Sequence, residues 1–311
     1  MKPSLFLVVL GIAAFDKNVA PGLVTSDIDN FWKAYDSSRL GGREEAFEKQ
    51  YLAPGSPGLQ DFLKLRIGSA KKLADAVNEK YPKFYASVRP YTLEIRKQTP
   101  AILKYLARYR DLYPDANFPT VYFVIGRLTS GGTVSSRGLL IGAEVNSLGN
   151  GVDTSEINPS FVHAMGPVER ISLIVLHELT HTQAKAKASP NVPSLLARCV
   201  AEGAPDFMTE LVANRSINSY SKEWADQRSD ELFHRFARDM ADKPNDTSKW
   251  LYNYDTSGAE PADLGYWIGA EICRSYYSST KDKAKAIHDI VTIESVEAIV
   301  RGSKYAWLLA H

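Results

Sequence analysis

The sequence predicts an α+β fold that is predominantly helical, with a small β-sheet next to one buried, histidine-bearing helix. Three observations predict it. Apolar residues recur at helical spacing through the first third of the chain, strand composition is confined to the stretch around residues 120–145, and helical patterns return after residue 170. With 311 residues and 44% hydrophobic content, the chain can bury a sizeable core as one large domain or two closely packed lobes.

Met1-Lys2 precedes the apolar run Leu5 to Phe15, which carries Ala13-Ala14 near its end and gives way to Asp16 and Lys17. This pattern resembles a short secretory signal peptide over residues 1–14 and predicts a secreted or periplasmic protein. The other reading is a buried first strand, which would leave the protein cytoplasmic. The run is too short to span a bilayer, which needs about 20 apolar residues. No cysteine lies near it, so a lipoprotein anchor is not expected.

Residues 15–115 read as a helical amino-terminal lobe. Ser26 can cap a helix whose Ile28, Phe31, Trp32 and Tyr35 form one apolar stripe. Ser56-Pro57 opens another, faced by Leu59, Phe62, Leu63, Ala70, Leu73 and Val77. Phe84 to Lys97 and Ile102 to Leu112 follow, separated by Pro100. Thr120 to Gly126 (TVYFVIG) and Arg137 to Val145 (RGLLIGAEV) have strand composition, and the Gly-rich link between them suggests a hairpin or neighbouring strands.

The segment Ile171 to Gln183 contains His177-Glu178-Leu179-Thr180-His181 directly after an apolar run. Residues four apart share a helix face, so both imidazoles can reach one metal ion, with the Glu178 carboxylate beside them. The helix is apolar on nearly every side, as expected of one that runs through a core. Buried histidines need partners, and a metal would supply them. Downstream, Glu202 and Asp206 in the run Ala201 to Phe207 are also four apart. One of them can bind the metal while the other accepts the free ring N–H of a ligating histidine. Pro205 predicts that this helix begins near Glu202, where the first N–H groups have no intrahelical partner.

HELTH followed at this distance by EGAPD resembles the gluzincin metallopeptidases of the thermolysin-like clan. Within that clan it is similar to a bacterial family of predicted zinc-dependent proteases with an EGxADF-type second motif, from which it departs at Pro205. The resemblance covers roughly residues 137–280 in character. It implies a zincin-like catalytic unit over 116–311 with Zn held by His177, His181 and Glu202, Glu178 as general base and Asp206 orienting a ligating histidine. It also implies that Leu139 to Glu144 form the edge strand along a substrate groove, with Leu140, Gly142 and Glu144 as substrate-binding residues. Gly142 to Asn146 has a faint likeness to an exopeptidase motif, which would give Glu144 an aminopeptidase role. Tyr266, in the run Gly265-Tyr-Trp-Ile-Gly269, is the first candidate to stabilise an oxyanion, ahead of Tyr252, Tyr254 and His234.

The expected function is therefore zinc-dependent hydrolysis of a peptide or protein substrate. The alternative is a non-catalytic zinc-binding or envelope-assembly module on the same fold, and a metal-free helical protein is the third reading. Lys+Arg 37 against Asp+Glu 36 leaves a net charge of +1, with no basic excess for nucleic acid. Cys199 and Cys273 could form one disulfide or remain buried thiols. His163 reads as a surface or loop residue, and Arg170 as half of an ion pair.

Overall fold

The computed structural model describes residues 21–38, 41–186, 189–254 and 260–310. The signal-peptide expectation for residues 1–14 lies outside them. The fold is α+β and predominantly helical. The first part contains β1 (Leu23–Val24), α1 (Ser26–Ser37), α2 (Arg43–Phe47), α3 (Pro57–Phe62), α4 (Ala70–Asp75), α5 (Pro82–Leu93) and α6 (Thr99–Leu112). The stripe of α1 buries Ile28, Phe31 and Trp32. At the start of α3, Ser56 Oγ accepts the Leu59 N–H at 3.1 Å and Pro57 fills the first turn, where its missing N–H costs nothing. Pro100 is accommodated likewise in the first turn of α6.

The sheet has four strands in the order β1-β2-β4-β3, with β2 (Val121–Val124), β3 (Gly132–Ser135) and β4 (Gly138–Gly142). β2 pairs with β4 in parallel and β3 pairs with β4 antiparallel. The hairpin is thus β3–β4, and the two strands read from composition lie side by side in parallel. This corrects the edge-strand expectation. Leu139 to Gly142 lies inside the sheet between β2 and β3, Ala143 and Glu144 are in the turn beyond it, and the edge on that side belongs to β3, whose glycine and serine content gave little strand signal. Leu140 is fully buried and Gly142 is hemmed in by the Ser130 backbone, so neither faces a groove.

The remaining helices are α7 (Pro159–Ala164), α8 (Ile171–Gln183), α9 (Ser194–Ala213), α10 (Ser219–Asp226), α11 (Ser229–Asp242), α12 (Leu264–Ser279), α13 (Lys283–Thr292) and α14 (Val296–Arg301). α8 is buried all round because β3 and β4, α6, α9 and α13 pack against it. α9 begins at Ser194, not near Glu202, so Pro205 sits inside it. An interior proline costs about 3 kcal/mol in an isolated helix. Here the close packing of α9 on α8 and α12 offsets that cost.

The α9–α12 crossing depends on glycines. A Cβ on Gly269 would lie 1.8 Å from the Cys199 carbonyl oxygen, and one on Gly203 would lie 2.1 Å from the Ala270 nitrogen. The Gly265-to-Gly269 spacing is therefore a packing device that lets the two helix backbones approach. The helices of 26–112 and the later elements share one hydrophobic core, and β1 brings residues 23–24 into the same sheet. Among the described residues, no helix is long and apolar enough to cross a membrane.

Candidate metal centre

α8 presents His177 and His181 one turn apart, and α9 carries Glu202 to meet them. His177 Nε2 lies 3.1 Å from His181 Nε2. Glu202 Oε2 is 3.6 Å from His177 Nε2 and 3.4 Å from His181 Nε2. A tetrahedral zinc ion with bonds of about 2.0–2.1 Å sets its ligands roughly 3.3–3.4 Å apart. The triangle of donors fits that spacing, and two imidazoles with one carboxylate are a donor set that zinc accepts.

The second turn of support is also in place. Asp206 Oδ1 accepts the His177 Nδ1–H at 2.8 Å, which leaves the Nε2 lone pair directed at the other donors. Burial opposes charge on His177, but the hydrogen bond with Asp206 and the nearby Glu202 carboxylate outweigh it and lift the imidazole to about 10. Burial likewise opposes charge on Glu202, and the two histidines overcome it and hold the carboxyl well below its usual range. Two carboxylates facing two imidazoles thus make a field that retains positive charge, whether proton or metal ion.

Glu178 is buried against the edge strand. A Cβ on Gly132 would lie 2.4 Å from its Oε1, so only glycine lets β3 pass this close. Burial raises the Glu178 pKa, countered by His177 and His181. Arg66, in the turn of chain after α3, donates to Thr133 Oγ1 on β3 at 2.9 Å and also acts on Glu178. Arg66, Thr133 and Gly132 escaped the sequence reading because they lie far along the chain from the pentad and carry no motif.

Of the tyrosines considered, Tyr266 lies with its ring stacked on His177 at 6.0 Å. Tyr252 reaches the donor cluster itself: its hydroxyl donates to Glu202 Oε1 at 2.6 Å. Tyr254 hydrogen-bonds Asp263, and His234 packs on Trp307 away from the centre. Glu144 is fully buried, and its Oε1 accepts the Leu128 N–H at 3.1 Å, so it braces the 126–128 turn and cannot meet a substrate amino group. Among the described residues Arg170 makes no ion pair of the kind expected. It donates instead to the Ala164 and Met165 carbonyls at 2.6 and 3.2 Å, closing the end of α7. His163 is exposed and stacks on Tyr220. Cys199 and Cys273 carry free, buried thiols.

The family model of the gliding motility protein GldB matches residues 24–306. The chain belongs to the GldB family. Comparison with curated proteins and with solved structures gives no match. The family assignment corrects the gluzincin resemblance, and with it the expectation of an enzyme that hydrolyses peptides. The physical reason is one of reach. The pentad and the EGAPD run record only what two helices need to bring three metal donors together, and a donor set alone does not fix an activity. The family match spans nearly the whole GldB-like chain, and it points to motility. It is compatible with a place in the cell envelope.

Proposed function

We propose that this GldB-family chain is a non-catalytic, zinc-binding module of a gliding apparatus, acting on the exported side of the cell envelope. The family match over residues 24–306 carries the motility role. The convergence of His177, His181 and Glu202, whose donor atoms all lie within 4.8 Å of one another, supports the ion. Zinc held by these three residues would supply a positive charge that ties α8 to α9. The groups around it are already engaged in holding the fold: Asp206 orients His177, and Glu178 is packed between α8 and β3.

The experiment is deletion of the gene in its own host, with colony spreading and single-cell gliding scored. Complementation by wild type and by Glu202→Ala then separates the two parts of the reading. Loss of gliding on deletion, restored by wild type and not by Glu202→Ala, is expected, together with stoichiometric zinc in the purified wild-type protein. Normal gliding in the deletion strain would remove the motility role. Zinc-free protein prepared without chelator would remove the ion.

A further inference from the structure

Glu202 has two oxygens in different surroundings. Oε2 faces the histidines, and Oε1 accepts the Tyr252 hydroxyl at 2.6 Å. Tyr252 reaches it from an unusual position. Its ring is half-exposed, and its backbone has φ +59°, a left-handed conformation rarely adopted by an aromatic residue. Several contacts hold the segment there. The Tyr252 N–H donates to Asp263 Oδ1, the Asp263 N–H donates to Asn253 Oδ1 at 2.8 Å, and Asn253 Nδ2 donates to the Lys249 carbonyl at 2.9 Å. The Gly265 N–H donates to the Trp250 carbonyl at 2.8 Å, so residues 250–253 are strapped onto the start of α12. Tyr266, on the same helix, meets the Tyr252 ring edge to face, with centroids 6.3 Å apart. A strained backbone that is held from both sides, and whose side chain ends on a metal-ligand carboxylate, is better explained by the contact it makes than by packing.

We propose that Tyr252 is a positioning and ion-selecting residue of the metal centre: by occupying Glu202 Oε1 it leaves Oε2 as the single oxygen offered to the ion. One oxygen and two imidazole nitrogens suit a small four-coordinate ion such as zinc, with one position remaining. A carboxylate free to offer both oxygens favours ions that accept more oxygen ligands, such as manganese or calcium. The inference rests on the proposed zinc site, and the following experiment separates the two.

Zinc affinity is measured by chelator competition for wild type, Tyr252→Phe and Tyr252→Gly, alongside the visible spectrum of each cobalt(II) form and the zinc-to-manganese preference. Tyr252→Phe keeps the ring and removes only the hydroxyl. It is expected to weaken zinc about tenfold or more, a typical loss for a group that orients a ligand. Its cobalt absorption should weaken as coordination rises above four, and its preference should move toward manganese. Tyr252→Gly relaxes the positive φ, so its metal-free form should melt no lower than that of Tyr252→Phe while still binding zinc weakly. Should Tyr252→Phe fail to fold, Tyr252→Gly alone decides. Wild-type zinc affinity and an unchanged cobalt spectrum in the folded variants would overturn the role of Tyr252 and leave the zinc site standing. Wild-type protein without zinc would overturn both.

Discussion

His177 depends on a partner set behind it, on the far side of the ring from His181 and Glu202. Its Nδ1–H donates to Asp206 Oδ1, which fixes the tautomer and turns the other nitrogen toward His181 and Glu202. Asp206→Asn should keep the fold and lower zinc affinity by roughly tenfold to a hundredfold, read by chelator competition. Glu144 tests the opposite situation, a carboxyl with too little support. Burial pushes it up to about 7, and among the described residues its Oε2 finds no hydrogen-bond partner. Because the folded-state pKa is above the unfolded value of 4.5, the native state binds more protons between the two. Stability should therefore fall as pH rises from about 4.5 to 7 and then level off, with Glu144 contributing on the order of 3 kcal/mol to the change. Urea unfolding of wild type and Glu144→Gln at pH 5 and pH 8 reads this directly. The variant should lose most of the difference, and an equal pH dependence in both would assign it to other groups. Among residues, the pentad, Glu202 and Asp206 were legible because helix periodicity alone aligns side chains four apart. Glu144 was misread because burial across strands leaves no mark in the local sequence.

At the scale of elements, the centre is a junction of α8 with α9, and α12 holds α9 in place. Gly203 and Gly269 allow the α9 and α12 backbones to touch, and that contact brings Tyr266 onto His177. Gly269→Ala drives a methyl group into the Cys199 carbonyl, which the crossing can relieve only by parting the helices. A loss of about 2–3 kcal/mol is expected in urea unfolding, accompanied by weaker zinc binding. A variant as stable as wild type would show that the crossing is looser than described. The amphipathic α1 and the capped start of α3 were legible from spacing and from Ser56-Pro57. The helical stretch after α9 is divided into α10 and α11 by a break at Gln227-Arg228. The start of α9 was misjudged because a proline signals a helix end only when nothing else compensates it. Here packing against two helices does so. The order of the strands was invisible for the same reason: pairing partners are chosen across the core, not along the chain.

For the whole molecule, an ion shared by α8 and α9 would tie together elements that also carry the sheet edge and the strap at Tyr252. Ligand binding to the native state alone stabilises it by roughly 4 kcal/mol when the free ligand stands a thousandfold above its Kd. Removing zinc should therefore lower the Tm by several degrees, and calorimetry with and without chelator, followed by zinc addition, would measure it. An unchanged Tm would argue against an ion that braces the fold. By itself, the sequence determined the helical α+β class and the paired histidines with their downstream carboxylates, since these follow from periodicity within single helices. Only the tertiary structure decided that β3 is the sheet edge, that Glu144 is buried, that Pro205 lies inside a helix and that Tyr252 holds Glu202. Each of those depends on which distant segments meet, and their meeting is set by packing and backbone approach between elements that local sequence does not encode.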